Sequence, residues 1–224
     1  IITPLKDRFG AEIRTHYLLE PDAEVGVIRQ EAHLSAEVPD YLLQIIGRFA
    51  RLLRESNSVD QRSGVSARFA IAAAETVAAS ARHRGAVLGE PEPVARVVDL
   101  GTIVDVLRGK LEFESGEEGR EQAVLEHLLR RATADTASRA LGGVDVGPLV
   151  TAIENGSPVT TGERVSAKDV LAALPGLPVL DAIAKRLDAH GDGQRAAAVE
   201  LALEGLYLAK RIDKSSDEGE TVYG

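Results

Sequence analysis

The sequence contains no cysteine, no methionine and no tryptophan, and only 4% of it is aromatic. Without cysteine there is no disulfide, no Cys-ligated zinc and no thiol nucleophile, a usage that fits a reducing cytoplasm. With so few rings the core must be assembled from Ala, Val, Leu and Ile at helical spacing, which points to a mainly α fold. No apolar run approaches the ~18 residues of a membrane span, and no signal peptide opens the chain. The formal net charge is -9 and the arginines are scattered rather than massed, so a nucleic acid is an unfavourable partner. The first residue is Ile1 rather than Met, and the expectation is a fragment or a processed chain.

What is present is helical periodicity. The 224 residues suffice for one large domain or two small ones. Residues 1–20 carry Ile13, Thr15 and Tyr17 at strand spacing around a charged turn, and read as a loop and one strand. A helix follows with Val25, Ile28 and Ala32 on one side and Asp22 as its cap. The next, behind Asp40, presents Leu42, Ile45, Ile46, Phe49, Leu52 and Leu53 as one stripe. An Ala-rich helix is expected over 65–83, then a Pro/Gly connector from Arg84, then a short helix to Leu107 capped by Asp99. Ser115 and Glu118 have the spacing of a capping box and open a long helix through Ala132. A Gly-rich stretch marks a boundary near residue 142, beyond which helices are expected at 166–174, 178–189 and 193–213, the last capped by Asp192. The expected divisions are therefore 1–20, 21–84, 85–142 and 143–224.

Several fragments of catalytic motifs fail on context. Seven residues separate Gly101 from Gly109 where a phosphate loop has four, and Leu111 stands where Ser or Thr should reach magnesium. Gly191, Gly193 and Ala196 fit a dinucleotide fingerprint but follow a helix rather than a strand. Ser66 lacks the second glycine of a nucleophile elbow. The five histidines show no i, i+4 pairing, and Glu117, Glu118 and Glu121 read as a solvated helix start. Attention turns to residues that assist chemistry done elsewhere.

"TPLKDRFG" at Thr3–Gly10, followed about 50 residues later by "SVDQRSGVSARFAIAAAETVAA", resembles the second half of an AAA+ ATPase of the magnesium-chelatase I-subunit and MoxR group. In that group the phosphate loop, the acidic magnesium-binding strand and the sensor asparagine precede such a turn. The resemblance is carried by residues 1–84 and narrows beyond them to a bacterial subset of chelatase-like ATPases. It implies a fold of helical lid and C-terminal helical region, with a short strand and loop at the N-terminus belonging to an α/β ATPase core.

The resemblance also implies roles. Arg8 matches the arginine finger that reaches into a neighbouring subunit's nucleotide site, and Arg62 the sensor-2 arginine that touches the γ-phosphate in cis. A planar guanidinium suits both tasks, because phosphoryl transfer spreads charge over equatorial oxygens. A surface salt bridge of Arg8 with Asp7 or Glu12 is the competing reading, and Arg68, one turn on, competes with Arg62. The parent would use ATP and Mg2+ in a homo-oligomeric ring to insert metal into a porphyrin or remodel a partner, and this chain alone would be inactive. The alternatives are a MoxR-like chaperone working with a von Willebrand factor A-type protein, and a helical adaptor that docks a partner helix on the stripe from Leu42 to Leu53.

Overall fold

The computed structural model describes residues 16–18, 20–60, 64–217 and 219–224. Within them lie nine α-helices and one three-stranded antiparallel sheet, so the chain is mainly α. The strand expected around Ile13 and Thr15 lies outside the described residues; Tyr17, at its end, belongs to no regular element.

Helices α1 (Pro21–Glu31), α2 (Asp40–Glu55) and α3 (Ala67–Leu88) follow the apolar periodicity. Leu42, Ile45, Ile46, Phe49 and Leu53 of α2 are fully buried, while Leu52 is half-buried at the edge of the stripe. That stripe is internal to the first core, which removes it as a docking face for a partner helix. The caps differ from expectation. Glu20 and Pro39 occupy the N-cap positions of α1 and α2, and Asp22 and Asp40 sit in the first turns, where a carboxylate favours the positive end of the helix dipole.

Helix α3 runs five residues past its expected end. Arg84, read as the start of a connector, is drawn inward by Asp99 and Glu90, and Gly85 lets the chain cross close by: a Cβ there would stand 2.6 Å from Pro93 Cβ. The helix stops at Gly89, whose φ of 71° only glycine adopts cheaply. A 3-10 turn, Val97–Leu100, then feeds α4 (Gly101–Leu107).

The capping box at Ser115 and Glu118 does not form, and α5 (Glu121–Ala140) starts at Glu121. The segment before it is bound elsewhere. Phe113 bridges Val59, Glu114 N–H donates to Ser58 O, and the Ser58 hydroxyl donates to Glu117 at 2.8 Å. Gly119, at φ 78°, then turns the chain into the helix.

The Gly-rich stretch after 142 holds more structure than its composition announces. It contains α6 (Gly147–Glu154), with Leu149, Val150 and Ile153 buried, and strand β1 (Val159–Gly162). Helices α7 (Ala167–Ala172), α8 (Pro178–Arg186) and α9 (Gly191–Leu208) follow. His190, not Asp192, is the N-cap of α9, and the helix ends at Leu208 because Lys210 takes a φ of 59°. The chain then forms the hairpin β2 (Lys214–Asp217) and β3 (Glu220–Tyr223). β3 is central, pairing Tyr223 with Val159 on one side and with Lys214 on the other.

Two hydrophobic cores result. The first draws on α1 to α5, the second on α6 to α8 and the sheet, and the middle of α9, from Ala196 to Glu204, is buried on all sides between them. Its Ala197 and Leu201 complete the first core, while Val199, Leu203 and Leu206 belong to the second.

Candidate functional site

Arg8 and Arg62 lie outside the described residues, and Arg68 is exposed on the first turn of α3. The flanks of the segment that carries Arg62 are described, and they are firmly held. Asp60 N–H donates to Glu112 O at 2.9 Å, and Gly64 N–H closes back onto Asp60 O. Gly64 has a φ of 72° and lies against the Tyr17 hydroxyl, so a side chain there meets both backbone strain and a ring.

Arg54 organises this entry to α3. Its Nη atoms bind both oxygens of Glu24 on α1 at 2.9 and 2.8 Å, and its Nε donates to Val65 O at 2.8 Å. The guanidinium also lies 4.8 Å from the centre of the Tyr17 ring. A bidentate, nearly buried pair of this kind fixes orientation as well as position. One arginine thereby joins α1, α2 and the entry to α3.

A second polar assembly was not foreseen from the sequence. Arg84 of α3 binds Asp99 (3.1 Å), Glu90 (3.0 Å) and Val94 O (2.7 Å), and Ser80 adds a bond to Asp99. Arg96 is 1% exposed; its Nη2 donates to Gly162 O and Val165 O at 2.8 and 2.7 Å, and its Nη1 faces Glu200 of α9 at 3.4 Å. Burial pushes the Glu200 carboxyl up from its ordinary pKa, an effect that Arg96 and Arg84 oppose only in part. One turn further along α9, Glu204 accepts hydrogen bonds from Tyr223 (2.6 Å) and Lys214 (2.7 Å). Burial, then Glu204, hold the Tyr223 phenol far above its usual pKa. The available signal was two glutamates four apart inside the apolar run "VELALEGLYL".

Glu200 and Glu204 line a cleft between α9, α5, the start of α4 and the sheet, with an inner lobe of about 230 Å³ and an adjoining outer lobe of about 450 Å³. Among the described residues no group of three His, Asp or Glu side chains is placed to hold a metal ion. The stretch from Gly101 to Lys110 folds as α4 and a second 3-10 turn, not as a strand, phosphate-cradling loop and helix. No helix among the described residues is long and apolar enough to cross a membrane. Comparisons with protein families, with curated proteins and with solved structures found no match to this chain.

Proposed function

We propose that the chain is the helical lid and C-terminal extension of a magnesium-chelatase-like AAA+ ATPase. The observation that carries the reading is the pairing of "DRFG" and "VDQRSG" across two amphipathic helices, with Arg54 anchoring the entry to the third. In this reading Arg8 acts on the neighbouring subunit's nucleotide in a homo-oligomeric cytoplasmic ring, and Arg62 senses the γ-phosphate of its own. Arg68 is the alternative sensor. In this reading ATP and Mg2+ are held by an ATPase core outside these residues. Hydrolysis then drives metal insertion or, with a von Willebrand factor A-type partner, remodelling of a client.

The test uses the ring formed by the complete reading frame. Arg8→Ala should leave ATP binding intact and cut turnover on the order of 10²-fold, below the span of known trans fingers. Arg8→Lys should rescue little, since an ammonium lacks the planar fork. Mixing Arg8→Ala subunits with subunits mutated at the phosphate-loop lysine should restore part of the activity. Mixed rings that stay inactive would defeat the assignment of Arg8. A larger defect from Arg68→Ala than from Arg62→Ala would move the sensor role to Arg68.

A further inference from the structure

The last turns of α5 and α9 and the start of α6 enclose a groove of about 410 Å³ that shares no residue with the ATPase reading. Its floor is aliphatic: Ala202 and Leu206 of α9 are buried, and Leu141 and Val146 flank them. The two helices meet there, since a Cβ on Gly205 would stand 2.8 Å from Ala137 Cβ. Three exposed polar residues line its rim, Asp135 and Ser138 of α5 and Arg211 just past α9. None of these three side chains has a hydrogen bond or ion pair among the described residues.

Backbone geometry holds Arg211 at that rim. Helix α9 stops in two bonds, Lys210 N–H to Tyr207 O at 2.8 Å and Arg211 N–H to Leu206 O at 2.9 Å, around the positive φ of Lys210. In this kind of helix stop the residue at the place of Arg211 is frequently apolar and packs back on the helix. Here it is a cation without a partner. Across the groove α5 ends at Ala140, and the negative end of its dipole adds to the charge of Asp135. One free positive group and one free negative group therefore share the rim of an aliphatic floor. A simple anion would meet Asp135 and the α5 carbonyls, a simple cation would meet Arg211, and a hydrocarbon would leave both charges unanswered. A molecule with both charges at one end and a hydrocarbon branch at the other answers all three.

We propose that this groove binds a free α-amino acid with a branched aliphatic side chain, of the size of leucine. Its carboxylate pairs with the Arg211 guanidinium, whose planar fork suits a carboxylate. Its ammonium donates to Asp135 and to the Ser138 hydroxyl, and its side chain lies on Ala202, Leu206 and Val146. The volume falls within the roughly 300–1,000 Å³ usual for small-molecule sites.

The experiment is an amide NMR titration of the 224-residue chain with L-leucine, using isovalerate, isoamylamine and glycine as controls that lack the ammonium, the carboxylate and the side chain in turn. Saturable shifts at Ser138, Val146, Gly205 and Ala209 are expected with leucine. Glycine should bind on the order of tenfold more weakly, for want of apolar surface to bury. Arg211→Gln should weaken leucine binding about five- to tenfold, as for a lost charged hydrogen bond at an exposed site. Asp135→Asn should weaken it about two- to fivefold, and less at high salt. Both residues are exposed, so both variants should keep the fold. Ala134→Leu fills the groove from a half-buried position on α5 and should abolish the shifts. No saturable response to leucine by about 10 mM, binding of isovalerate or isoamylamine as tight as that of leucine, or undiminished binding by folded Arg211→Gln or Ala134→Leu would each overturn the proposal.

Discussion

The two cores are built by different means. The first rests on long helices, 16 residues in α2, 22 in α3 and 20 in α5, each presenting one apolar stripe. The second uses helices of six to nine residues and four-residue strands, none of which would stand alone in water. It is held by closure at a distance: β1 pairs with β3 across some sixty intervening residues, and Arg96 reaches from the first half to bind the carbonyls of Gly162, the last residue of β1, and Val165 just after it. The first core therefore depends on local order, and the second on contacts that arrive late and from elsewhere.

Substitutions separate the two modes. Arg96→Leu strips the donors from two buried carbonyls and the cation from Glu200, and should cost roughly 3–5 kcal/mol. Urea unfolding should then split into two transitions, with the second core melting first. A single transition at lowered midpoint would instead show that α9 alone welds the cores together. Leu149→Ala, fully buried in α6, should cost about 2–4 kcal/mol. Hydrogen exchange should accelerate in the sheet and in α7 to α9 and leave α2 protected. Smallest is Ser166→Ala, which removes the hydroxyl that accepts from Asp169 N–H at the start of α7, worth about 1 kcal/mol. Its effect should be confined to α7 and the end of β1.

This division also explains what the sequence disclosed. Stripes such as Leu42 to Leu53 repeat every three or four residues, and the burial of α2 follows from them without knowledge of any other segment. The start of α5 was misplaced because Ser115 and Glu118 satisfy a local rule, whereas Ser58, Val59 and Asp60 compete for the same segment from more than fifty residues away. β1 hides in "VTTG" because it is a strand only when Tyr223 and its neighbours lie beside it. The arginines proposed for catalysis came from the family resemblance, and Arg8 and Arg62 fall outside the described residues. The Arg96–Glu200 contact joins residues about a hundred positions apart, and no local pattern announces it. Arg54 anchors the entry to α3 through Glu24, thirty positions earlier, and no local spacing in α2 announces that pairing.

Helix α9 sets the timetable of synthesis. Ala197 and Leu201 are the last pieces of a core whose other fully buried members end at Ala137. At the ribosome's pace of about 5–20 residues per second, those helices wait several seconds for them, with a seam along α5 left open to water. Ala137, against which Gly205 of α9 packs closely, is made long before the segment that seals α5, so the nascent chain passes through a stage that is helical, collapsed and still adhesive. A cell making this protein has to shield that surface on the polysome, where neighbouring nascent copies expose the same one.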